Sequence, residues 1–179
     1  MVRSSFLHSL RLTCRSSAGA PNFRSIWPTS PTEDDLRIYG TGIPTREGLQ
    51  GVLDYLKGDK QAVFWINLRE EPILYINGRP FVLRRLDHPF ANLEHTGISR
   101  SRVEDMEARL KADVLDEAGA SDDYAILIHE EDETGGLTPT FETVVDVQTP
   151  SELFASMGLS YYRIPITDEQ GEKKVRTGN

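Results

Sequence analysis

Three kinds of hydrophobic pattern divide the chain. Leu49, Val52, Leu53 and Leu56 recur at helical spacing within residues 45–58, with Gly58 as the stop, so one face of a helix is apolar there. A second helix is predicted after residue 100, with Val103, Met106, Leu110 and Val114 as its buried stripe and Ser101 with Glu104 as a capping box. Thr149, followed by Pro150 and by Glu152 three residues on, starts a third, short helix that ends near Gly158. Between these lie apolar runs of strand length: 61–68, 124–130 and 159–166. Such continuous runs fit strands covered on both faces. Residues 37–41 form a shorter strand, and 71–78 with 79–86 read as a hairpin turning at Asn77-Gly78, because both turn positions need a positive φ. A turn at Gly135-Gly136 precedes another extended segment, whereas 21–36, with Pro21, Pro28 and Pro31, should be irregular. Strands alternating with helices predict an α/β fold.

At 179 residues the chain has room for one domain with a real core. No apolar run is long enough to span a bilayer. The net charge of −8 opposes binding to nucleic acid, because the summed field repels phosphates. An anionic small ligand would then need a local basic group. Charge is unevenly spread: no acid precedes Glu33, while Arg3, Arg11, Arg15 and Arg24 do. Residues 1–20 therefore read as a basic leader, either disordered or a mitochondrial targeting peptide. The single cysteine, Cys14, lies within it and excludes an intrachain disulfide.

In an open α/β sheet, ligands bind beyond the carboxyl ends of the strands. Three polar clusters fall at such ends: Arg69-Glu70-Glu71, His129-Glu130-Glu131-Asp132 and Thr167-Asp168-Glu169. A zinc-protease helix would need a second histidine at position 133, which is Glu133, so a solvated strand end is the better reading and no metal is expected. Arg69 fits either an ion pair with the adjoining acids or a fork for phosphate. Asp168 fits either a turn or, with a pKa raised by partial burial, a proton donor. The sequence contains no GxxxxGK[ST] loop, no GxGxxG and no recognisable nucleophile elbow.

The stretch "WINLREEPILYINGRPFVLR" resembles the paladin and protein-tyrosine-phosphatase-like inositol phosphatase (cysteine phytase) family, in which a strand ends in "NLR-E" and a strand-turn-strand with "NG" follows. "APNFR", "YGTGIPTREGLQGVLDYL", "ANLEHTGIS", "LIHEEDETGGLTPTFETV" and "YYRIPITDE" extend the likeness, in the same order, over about residues 20–169. The resemblance implies a protein-tyrosine-phosphatase-like fold, a central mixed sheet with flanking helices and the inserted hairpin. It also implies phosphomonoester hydrolysis through a cysteinyl-phosphate, on inositol polyphosphates or phosphoproteins. By position Asp168 takes the general-acid role and Arg69 a substrate-phosphate contact at the rim. Glu169 stands where the phytases often carry His. No cofactor is implied, and the family favours the cytoplasm. The departure is the nucleophile: the family's CX5R loop follows the acid loop, whereas Cys14 precedes it and has Ala20, not Arg, six residues on. The expectation is that residues 21–179 are the N-terminal portion of an incomplete phosphatase-like domain lacking the CX5R segment, inactive as given. The alternative is a non-catalytic interaction module. In either case a protein partner is expected to cover an exposed sheet face.

Overall fold

The computed structural model describes residues 10–14, 19–28, 37–56, 62–84, 95–131 and 136–167, with 10–14, 26–28 and 131 as backbone. It consists of two units, Met1–Gln61 and Ala62–Asn179.

In the first unit, β1 (Leu10–Cys14), β2 (Arg24–Pro28) and β3 (Ile38–Gly40) form an antiparallel sheet in that order, and α1 spans Arg46–Leu56. The helix starts where Thr45 Oγ1 accepts the Gly48 N–H at 3.0 Å, and it buries Gly48, Leu49, Val52 and Leu56, close to the stripe read from the sequence. Gly48 is required by contact: a Cβ there would lie 2.0 Å from the Gly19 carbonyl oxygen. Phe23 stacks on Tyr39 at 5.9 Å and meets Tyr55 edge-on at 5.6 Å. One reading of this region needs correction: residues 24–28 are a strand rather than irregular, and Leu10–Cys14 pair with it. Pro21 precedes that strand and Pro28 is its last residue, so neither interrupts it.

The second unit contains β4 (Phe64–Asn67), β5 (Ile73–Ile76), β6 (Arg79–Val82), α2 (Arg100–Gly119), β7 (Ala125–Glu131), β8 (Leu137–Thr143), β9 (Val147–Gln148), α3 (Pro150–Ser156) and β10 (Ser160–Arg163). The class is mixed α/β, as the sequence predicts. The strands form smaller sheets: β4 with β10 in parallel, β6-β5-β9 antiparallel, and the β7–β8 hairpin. Leu74, Ile76, Ala118, Ile126, Ile128, Val144 and Val147 make the core between α2 and these hairpins. Trp65, Phe154 and Tyr161 pack as a second cluster, with ring centroids 4.7 and 5.2 Å apart, and hold α3 against the parallel pair.

The hairpin turn lies at Asn77-Gly78 as expected, with φ of 52° and 76°. Asn77 does more than turn the chain: its Nδ2 donates to Glu142 Oε1 and the Thr143 carbonyl, and its Oδ1 accepts from Val145 N. The capping box of Thr149 and Glu152 is present on α3. The start of α2 differs. Ser99, in extended conformation, is the N-cap and accepts from Arg102 N, so the helix begins before Ser101. The runs 61–68 and 124–130, suited by their apolar pattern to cover on both faces, are covered on one, which leaves an exposed sheet face. Ile126 and Ile128 are buried while Leu127 is exposed, and Phe64, Ile66 and Leu68 are exposed beside buried or half-buried neighbours. No helix among the described residues is long and apolar enough to cross a membrane.

Candidate functional site

Parallel pairing of β4 and β10 brings two of the three polar clusters together. The ladder matches Tyr162 with Ile66 and Arg163 with Asn67, and continues as Ile164 N donating to the Asn67 carbonyl and Ile166 N to the Leu68 carbonyl. Both strands thus end side by side, and Thr167 Oγ1 donates to Glu70 Oε2 at 3.0 Å. The β4 end is shaped by Asn67. Its Oδ1 accepts the Arg69 N–H at 3.0 Å, a side-chain turn that takes the chain out of the ladder. Its Nδ2 donates to the Tyr161 hydroxyl at 3.1 Å.

Arg69 leaves this turn with a third of its side chain exposed and donates through Nη2 to Glu71 Oε1 at 2.9 Å. Arg69 Nε is buried and donates to no protein group. Glu70 and Glu71 are themselves buried. The ion-pair reading of Arg69 therefore holds for Nη2, while the buried Nε meets no protein acceptor. Asp168, the position assigned to the general acid, lies outside the described residues, as does the rest of its cluster beyond Thr167. Of the third cluster, Glu130, on β7, pairs with Arg79 of β6 and His129 is exposed, while Asp132 lies outside the described residues. Among the described residues, no group of three or more His, Cys, Asp or Glu side chains is placed to hold a metal ion.

Behind the Arg69 turn is a pair that sequence reasoning missed. Arg163 Nη2 donates to Glu107 Oε1 at 2.5 Å, with side chains 0% and 1% exposed. Glu107 also accepts the Ile73 N–H at 2.9 Å. Arg163 Nη1 reaches the Glu71 and Arg69 carbonyls at 3.3 and 3.5 Å, and Tyr161 Oη lies 3.2 Å from Nη2. Burial pushes the Glu107 carboxyl up to about 7, opposed by the Arg163 charge and the Ile73 amide. Burial likewise raises the Tyr75 and Tyr161 hydroxyls. A signal was present in the sequence. Glu107 follows Val103 by four residues and precedes Leu110 by three, inside the apolar stripe, and Arg163 interrupts the apolar run "YYRIPI". A charge in a core position calls for a buried partner.

The PTP-like phytase (inositol hexakisphosphate) family model matches residues 66–175. The chain is 31% identical to paladin of Homo sapiens over 155 residues, which is 82% of this chain and 15% of that protein. It is 28% identical to paladin of Danio rerio, across 94% of this chain and 20% of that one. It therefore spans no more than a fifth of either relative's length. Among solved structures, a PTP-like myo-inositol phosphatase of Mitsuokella multacida, in complex with myo-inositol-(1,3,4,5)-tetrakisphosphate, superposes with a TM-score of 0.59 at 24% identity, over 79% of this chain and 23% of that one. A PTP-like phytase of Bdellovibrio bacteriovorus gives 0.50 at 18% identity, over 89% and 51%. These two likenesses show the fold, and the family match takes in the end of β4, the Arg69 turn, the hairpins and β10: the chain belongs to the PTP-like phytase family.

Proposed function

We propose that this chain is a phosphatase-like domain that binds phosphomonoesters without hydrolysing them, with inositol polyphosphates or phosphoproteins as the ligand class and Arg69 as the phosphate contact. The observation that carries this reading is the Arg69 guanidinium, one-third exposed at the joined ends of two parallel strands, with its Nε held by no protein acceptor. A guanidinium edge matches two phosphate oxygens, and strand ends of this kind are where α/β folds bind ligands. Asp168 takes the general-acid position by its place after β10. Hydrolysis by a cysteinyl-phosphate needs a thiolate held beside an arginine. The sequence's single cysteine, Cys14, has Ala20 six residues on, so no CX5R loop exists within these 179 residues.

The test is isothermal titration with myo-inositol hexakisphosphate, alongside a p-nitrophenyl phosphate assay. Wild type binds and Arg69→Ala weakens binding roughly 10- to 100-fold, the worth of a charge-assisted fork. Hydrolysis stays at blank. Equal binding by the two proteins removes Arg69 from the site, and turnover lost in Asp168→Asn overturns the non-hydrolysing reading.

A second reading, a protein-interaction module, is favoured by one feature. Phe64, Ile66 and Leu68 on β4 and Tyr162, Ile164 and Ile166 on β10 and its extension are all exposed, on adjacent parallel strands. Parallel sheets are ordinarily covered on both faces, so an apolar protein layer is the occupant this face suits. Ile66→Lys with Ile164→Lys should abolish concentration-dependent association in sedimentation velocity. A wild type that stays monomeric and soluble at high concentration contradicts this reading.

A further inference from the structure

Residues 69–72 belong to no strand, so their backbone groups lack the ladder partners that fix β4 and β5 on either side. Side chains supply them instead. Going along the segment, the Arg69 N–H is held by Asn67, the Arg69 and Glu71 carbonyls face Arg163 Nη1, and the Ile73 N–H is held by Glu107. Tyr161 ties the two ends of this arrangement, since its hydroxyl accepts from Asn67 Nδ2 and from Arg163.

A buried ion pair is costly to form and is seldom needed for stability, because well-packed apolar residues of similar volume serve as well. Here the pair does something apolar residues could not. The planar guanidinium faces two carbonyls and a hydroxyl while donating to the carboxylate, and the carboxylate accepts one amide. The groups it fixes are those of the segment bearing Arg69. We propose that Glu107 and Arg163 are positioning residues, which hold the backbone of residues 69–73 so that the Arg69 side chain stands where it can contact phosphate. This rests on the reading of Arg69 given above. Neither residue touches the ligand.

The experiment is a binding cycle with myo-inositol hexakisphosphate, run on the full chain. Glu107→Leu with Arg163→Met removes both charges and keeps the volume, so the fold is retained by circular dichroism. Affinity falls at least tenfold, and adding Arg69→Ala to that variant causes little further loss, because the contact is already misaligned. A merely structural pair would leave the affinity of the folded protein unchanged, and that result overturns the proposal. Should the double variant fail to fold, Arg163→Lys serves. It keeps the charge beside Glu107 but cannot span both carbonyls, and the same loss is expected. If wild type and Arg69→Ala bind the probe equally, the phosphate reading fails, and hydrogen exchange at the Arg69 amide decides the positioning role alone. Faster exchange there in Arg163→Lys, with β7–β8 amides unchanged, supports it; unchanged exchange at Arg69 overturns it.

Discussion

Two arginines in the second unit each face glutamates, and they stand at opposite extremes. Arg79, on the hairpin, pairs with Glu130 and lies 3.6 Å from Glu142, with nearly half of its side chain exposed. Arg163 meets Glu107 with neither side chain exposed. Water and salt screen the first pair, so its net worth is small. In the second, solvent is gone and each charge depends on the other, so losing one partner leaves an uncompensated ion in the core. Residue types alone do not distinguish them; what the surrounding backbone needs does. The hairpin beside Arg79 is already fixed by its ladder and by Asn77, whereas the turn beside Arg163 has no ladder at all.

That contrast can be broken in order of expected effect. Arg163→Met should cost about 3–5 kcal/mol in urea unfolding at pH 8, the cost of an abandoned buried charge. A loss below about 1 kcal/mol would place this pair in the same class as the surface one. Glu107 comes next. Its pKa, raised from 4.5 to about 7 in the fold, means the native state holds the proton more tightly than the unfolded chain. Its contribution is therefore full below about pH 4.5 and is lost as pH rises through 7, by up to about 3 kcal/mol. Burial raises this pKa, the Arg163 charge and the Ile73 amide oppose that rise, and Glu104 adds to it. Wild-type Tm minus that of Glu107→Gln should fall across this window, and a flat difference would mean the carboxyl titrates as an ordinary one. Asn77→Ala removes the hairpin's side-chain bonds and strains a positive φ, for about 1–3 kcal/mol by thermal melting. Arg79→Ala should change stability by less than about 1 kcal/mol in the same melts.

The same contrast explains how much could be read from the sequence. Asn77-Gly78 and Thr149-Pro150-Glu152 are local devices, complete within a few residues, and both stand where they were expected. The α1 stripe is likewise local. The Glu107–Arg163 pair joins positions 56 residues apart, and each member seen singly looks like an ordinary solvated charge. Only their positions inside apolar patterns betray them. The N-cap of α2 was misplaced by two residues because "SRS" offers two serines and the choice depends on backbone conformation at Ser99. An exposed sheet face was expected, but which side chains of β4 and β10 form it was not legible, since an apolar run reports what a strand is suited to and not what lies against it. Arg69 was placed at a strand end, but which edge of it Glu71 occupies is a tertiary fact.

The most direct test sets the two regions side by side in one titration with myo-inositol hexakisphosphate, using wild type, Arg69→Ala and Arg79→Ala. Binding should weaken at least tenfold for Arg69→Ala and stay within about twofold for Arg79→Ala, since a charge-assisted fork is lost in the first and only general surface charge in the second. Equal losses in both variants, or none in either, would contradict a phosphate contact built on Arg69.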